Sequence, residues 1–94
     1  MLTLDQSAQP HPDVVDTALD DGDTVLLHLE SKTYYSLNSS GSRIWQGIKR
    51  GTTLREISRC LQEEFEVEPQ MADSSVLHIA GELSRERLVV PFGS

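Results

Sequence analysis

Cysteine is almost absent from this sequence. Cys60 stands alone, so no internal disulfide braces the fold, and a cytoplasmic protein is expected. Cations are also scarce: 8 Lys and Arg face 15 Asp and Glu, a formal charge of −7, and they are scattered along the chain. This balance argues against a surface for nucleic acid or anionic lipid, because both are held largely through grouped Lys and Arg. No apolar run approaches membrane-spanning length, and the opening residues MLTLDQSAQPHPD lack the basic and apolar segments of an export signal. Length is limiting too. A chain of 94 residues buries only roughly 60–65% of its unfolded surface, enough for one thin core but not for a deep catalytic cavity. The common catalytic and nucleotide motifs are missing, namely G-x-G-x-x-G, the P-loop, H-E-x-x-H, C-x-x-C and G-x-S-x-G. No enzyme and no cofactor is therefore expected. His11, His28 and His78 fall on an arm, a strand and a helix, with no two at ligand spacing, so no metal site is expected either.

What is present is periodic. Residues 5–13 hold two prolines and no period, which predicts a flexible arm over 1–13 in which residues 1–4 add at most a short strand. Val14 to Leu19 reads as a weak strand, and Asp20-Asp21-Gly22-Asp23 reads as a hairpin turn because it lacks the ligand spacing of a calcium loop. In Thr24 to Glu30, Val25, Leu27 and Leu29 share one face, and Leu26, His28 and Glu30 share the other, polar one. Ser31-Lys32 is a tight connection to a third strand, Thr33 to Leu37, so these two strands are antiparallel neighbours.

Helical spacing then takes over. Asn38-Ser39-Ser40 caps a helix carrying Gly41, Ile44, Trp45 and Ile48, which ends on Lys49-Arg50-Gly51. Thr53 and Glu56 form a capping box for a second helix with Leu54, Ile57, Leu61 and Phe65 inward. Pro69 opens a third helix running to about Arg87, with Val76, Ile79, Ala80 and Leu83 inward, and Leu88 to Val90 forms an apolar tail. The expected fold is α+β and winged-helix-like: a small three-stranded antiparallel sheet followed by a three-helix bundle, with one domain over 14–90 and a tail over 91–94.

Most single residues read as structural. Trp45 is a core anchor, Cys60 a partly buried structural thiol, and Glu63, Glu64 and Glu66 a solvated helix end. The informative feature is Thr33 to Leu37. At the edge of a sheet it would expose unpaired N–H and C=O groups, and it is then either a site for an extended peptide or an edge shielded by Lys32 and by twist. Of Tyr34 and Tyr35, one should face the helices and the other the open side.

The run GDTVLLHLESKTYYSLNSSGSRIWQGIKRGTTLREI, the LQEEFEV end of the second helix and the closing ERLV together resemble the PqqD-like family of peptide-recognition proteins. The likeness spans residues 14–90 and rests on order and spacing: Tyr35-Ser36-Leu37-Asn38, then Gly41, Ile44-Trp45 and Gly51-Thr52. The resemblance implies a RiPP recognition element, a non-catalytic domain that holds the leader of a ribosomally made precursor as an added strand. It implies that Thr33, Tyr34, Tyr35, Ser36 and Leu37 form the pairing edge and that the third helix forms the facing wall; Lys32 at the start of that edge and Asp73, Val76, Leu77 and Ala80 on the helix are the further contacts inferred here, without a motif match of their own. The Tyr-Tyr-x-Leu-Asn and Ile-Trp patterns favour a stand-alone protein of a lasso peptide pathway. Its partners would be the precursor leader, a leader-processing cysteine protease and a lasso cyclase, with the domain itself a monomer or weak dimer. The alternative within the family is a chaperone of pyrroloquinoline quinone synthesis serving a radical-SAM enzyme. Outside it stands a winged-helix DNA-binding module, disfavoured by Glu56, Glu63, Glu64, Asp73, Glu82 and Glu86 beside Arg55 and Arg59.

Overall fold

Two small sheets and three helices share one core in the computed structural model, which describes residues 2–92. In chain order the elements are β1 (Ser7–Pro10), β2 (Val14–Ala18), β3 (Thr24–His28), β4 (Thr33–Leu37), α1 (Ser39–Arg50), α2 (Leu54–Phe65), α3 (Pro69–Arg85) and β5 (Val89–Phe92). The meander β2-β3-β4 is antiparallel throughout, pairing Val15 with Leu27 and Leu27 with Tyr34. The fold is thus α+β, with the expected three-stranded sheet and three helices.

The β2–β3 turn closes as its composition requires. Leu19 N–H donates to Asp23 O at 2.8 Å, Asp21 Oδ1 accepts from Asp23 N–H, and Gly22 takes φ +92°, open to glycine without strain. The next connection is longer than the expected two residues. Leu29 to Lys32 form the loop, Lys32 N–H returns to His28 O at 2.8 Å, and Lys32 itself sits at φ +60°.

The helix caps follow the sequence. Asn38 accepts from Gly41 N–H at 2.9 Å, Thr53 Oγ1 accepts from Glu56 N–H at 3.2 Å, and Gly51 ends α1 in the left-handed region at φ +80°. Pro69 occupies the first turn of α3, where a missing N–H leaves no bond unmade. Gly47 lets α1 and α2 meet. A Cβ there would lie 2.5 Å from Ile57 Cγ1, inside the van der Waals distance of a buried side chain.

The second sheet corrects the reading of residues 5–13 as irregular. Ser7–Pro10 pairs antiparallel with Val89–Phe92, and Ala8, 1% exposed, sits in the core. The preceding residues also cap α2: Gln6 O and Leu4 O accept from Leu54 and Arg55 N–H at 2.9 Å, meeting donors that a helix start leaves open.

The core joins Leu26 and Leu37 of the meander to Ile44, Trp45 and Ile48 of α1, Leu54, Ile57 and Leu61 of α2, and Val76, Ala80 and Leu83 of α3. Trp45 is the expected anchor. Its indole N–H finds Asp16 Oδ2 at 3.0 Å, and Lys49 Nζ reaches the same oxygen at 2.8 Å, fastening α1 to β2. The Lys49 ammonium, with the indole N–H, holds the Asp16 carboxyl below its ordinary range despite partial desolvation. Phe65, expected inward, lies at the rim instead, and Cys60, expected to be partly covered, is exposed. Among the described residues no helix is long and apolar enough to cross a membrane.

Candidate functional site

β4 is an edge strand, since the order β2-β3-β4 pairs only one of its sides. On its other side the alternate N–H and C=O groups of Thr33–Leu37 have no strand partner among the described residues. The strand alternates inward and outward. Tyr34, 68% exposed, and Ser36 point to the outer sheet face, whereas Tyr35 and Leu37 point to the helices.

Tyr35 bridges to α3. Its hydroxyl donates to Glu82 Oε2 at 2.7 Å, and the other carboxylate oxygen of Glu82 lies 3.0 Å from His78 Nε2. Burial, then the Glu82 carboxylate, push the Tyr35 phenol up to about 12 from its ordinary value of 10. Because the folded value is raised, the stabilisation is full below pH 10 and is lost as pH climbs from 10 towards 12. Tyr35→Phe should therefore lose less stability than the parent between pH 9 and pH 11, read as the shift in urea midpoint; equal losses would place the phenol elsewhere.

The structure brings only part of the expected residue set together. Lys32, Thr33, Tyr34, Tyr35, Ser36 and Leu37 are contiguous on the edge, with Leu37 buried in the core and Lys32 exposed at its start. On α3 the expected wall falls apart. Val76 and Ala80 are wholly buried among core side chains, which removes them from any surface. Asp73 accepts from Ser58 Oγ at 2.5 Å and ties α3 to α2. Leu77 packs on the opposite flank, lining a pocket with Leu2, Gly81 and Pro91.

Glu82 carries the flank that meets β4, and helical spacing places Ser75, Ile79 and Glu86 beside it. This flank lies about one residue round from the core stripe Ala72, Val76, Ala80 and Leu83. Beyond the Leu37 end of β4, Ser40, Phe65, Val67, Met71 and Ser75 rim an apolar pocket of about 180 Å³, floored by Leu61 and Ala72.

His28 departs from expectation as well. It is 2% exposed on the inner face of β3, its ring 4.6 Å from that of His11, and its Nδ1 accepts from Ser31 N–H at 3.5 Å. The inner face of β3 is Thr24, Leu26 and His28, so Val25, Leu27 and Leu29 face out. Among the described residues no three His, Cys, Asp or Glu side chains come together as a metal site.

The geometry defines a small α+β domain in which the edge strand β4 is tied to α3 through Tyr35 and Glu82. Residues 23–89 match the model of the coenzyme PQQ synthesis protein D (PqqD) family, and the chain belongs to that family. Its backbone is similar to that of TbiB1 in complex with the TbiA(beta) leader peptide, at 28% identity and a TM-score of 0.82 over 92% of this chain and 99% of that one. It is also similar to a lasso peptide synthetase B1 complexed with the leader peptide, at 25% identity and a TM-score of 0.81 over 90% of this chain and 99% of that one. No curated protein matches the chain.

Proposed function

We propose that this protein is a non-catalytic leader-recognition domain of a lasso peptide pathway, holding the leader of a ribosomally made precursor as a strand antiparallel to β4. The observation that carries this reading is the unpaired edge Thr33–Leu37 facing α3, in a backbone similar to two proteins solved with leader peptides. The leader's backbone would complete the β4 ladder, each bond contributing about 0.5–1.5 kcal/mol net and almost independent of sequence. Selectivity then comes from side chains. Running antiparallel to β4, the leader enters at the Leu37 end, where the pocket rimmed by Phe65 and Met71 accepts an apolar or aromatic side chain. Such a burial contributes about 1.5–3 kcal/mol, and ordering the leader offsets roughly 2–5 kcal/mol of the total. The Tyr35–Glu82 bridge forms the floor on which the strand lies.

The domain would present the captured leader to a leader-processing cysteine protease and a lasso cyclase, performing no chemistry itself. Its three helices beside a β-meander are winged-helix-like in this reading, but their charge suits a peptide better than DNA. A fluorescence-polarisation titration with labelled leader should give a Kd between about 1 μM and tens of nM. Absence of binding at 100 μM would contradict this reading.

A further inference from the structure

Strand addition at β4 fixes where each side chain of a captured leader points. In an antiparallel pair, residues directly opposite one another project from the same face, and successive residues alternate. Tyr35 and Leu37 are the β4 side chains turned to the helices, so the leader residues opposite them, two positions apart, turn there as well. The residue opposite Leu37 comes first in the leader, beside the apolar pocket rimmed by Phe65 and Met71. Two positions further on, the next inward residue lies opposite Tyr35.

That second residue meets negative charge. The Tyr35 hydroxyl donates to Glu82 Oε2 at 2.7 Å, a neutral donor that does not cancel the charge of the carboxylate. Burial, then the Glu82 carboxylate, then Glu86 one turn along α3, push the Tyr35 phenol up, so the field at this point disfavours a further anion. At the other carboxylate oxygen stands His78 Nε2, 3.0 Å away, an imidazole 70% exposed that carries charge only when protonated. No Lys or Arg among the described residues forms an ion pair with Glu82 or Glu86. The Glu82 side chain is 37% exposed, and a strand laid along β4 takes water from it. A carboxylate that loses water without gaining a cation costs free energy.

Resting on leader capture at β4, we infer that Glu82 is a specificity-determining residue: it selects leaders with Lys or Arg two positions C-terminal to the apolar residue that enters the Phe65 and Met71 pocket. The cationic head pairs with the Glu82 carboxylate while its methylene stem packs along the Tyr35 ring. An Asp or Glu at that position meets Glu82 and Glu86 at like charge and is rejected. No such demand follows at the next inward position, opposite Thr33, where Lys32 adjoins the strand. Selectivity is then read at two points spaced by two residues, on a backbone ladder that is nearly blind to sequence.

The test uses the whole protein and fluorescence polarisation with synthetic leaders of the pathway's own precursor. Alanine replacement along the leader, measured against the parent and Phe65→Ala proteins, locates the apolar anchor as the residue whose loss is not additive with Phe65→Ala. Lys, norleucine and Glu are then placed in turn two positions C-terminal to it. The parent should bind the Lys leader about tenfold more tightly than the Glu leader, with norleucine between, since the comparison counts an attraction and a repulsion together. Glu82→Gln should shrink that ratio to about threefold or less, and Glu82→Lys should reverse the order. Tyr35→Phe keeps the carboxylate and should keep the preference. A purely structural role for Glu82 would lower every affinity alike and leave the ratio unchanged, which overturns the assignment while leaving leader capture intact. A parent that binds all three leaders equally, or a leader with no residue coupled to Phe65, overturns it as well. Failure of the parent to bind any leader removes leader capture itself, and the assignment with it.

Discussion

Replacing Ser36 with proline should weaken leader binding at least about 100-fold, about 2.7 kcal/mol, while the helices stay folded. Proline deletes one ladder donor and its ring obstructs the approach of a neighbouring strand. Neither consequence reaches the core, because Ser36 is exposed and its side chain lies on the outer face. The direction of each N–H alternates along an edge strand, so Thr33→Pro places the same change in the opposite register. One of the two variants therefore spares the β3 ladder, and that one should keep its melting temperature within about 5 °C, equivalent to roughly 1 kcal/mol. Folded variants at both positions that bind leader with parental affinity would remove β4 from the site.

The second large effect concerns stability. Trp45→Ala should cost about 3–5 kcal/mol, because it empties the largest buried side-chain volume of the core. It also leaves Asp16 with Lys49 as its remaining side-chain partner, where the parent carboxylate also receives the indole N–H. For a domain of this size the loss corresponds to a melting temperature at least about 15 °C lower by circular dichroism. Trp45→Phe keeps an aromatic ring but not the indole N–H, so it should fall between parent and Ala variant. A Trp45→Ala protein melting within 5 °C of the parent would show that the contact of α1 with the meander carries little of the stability.

Local signals were legible where the physics is local. The Asp-Gly turn, the Asn38 and Thr53 caps, the Gly51 terminator and Pro69 each state their geometry within four residues, and the structure places each as read. β1 was not legible. It has four residues, two of them Gln9 and Pro10, and exists because Val89–Phe92 arrives from the far end of the chain to pair with it. No periodicity in Ser7–Pro10 records that partner.

β3 was read with its faces reversed for a related reason. The apolar count favours Val25, Leu27 and Leu29 as the inner side, but the core takes Leu26 and accommodates His28, whose Nδ1 is met by the Ser31 N–H. A strand with apolar residues on both sides carries a period without a direction.

The candidate site divides in the same way. The strand Thr33–Leu37 is legible from its aromatic and β-branched composition and its short connection to β3, whereas its place at the sheet edge follows only from the order β2-β3-β4. On α3 an apolar stripe reports which residues meet the core, and the residue that reaches β4, Glu82, lies on the flank beside that stripe. Glu82 became recognisable only through its bond to Tyr35, a residue 47 positions away.

Leader capture at β4 is tested most directly by amide hydrogen exchange, read residue by residue by NMR over Thr33–Leu37 with and without saturating leader peptide. The outward-pointing amides of β4 should slow at least about tenfold on binding, since each gains a strand partner, while those already bonded to β3 change little. Bound leader with unchanged exchange along β4 would place it elsewhere on the domain and contradict strand addition.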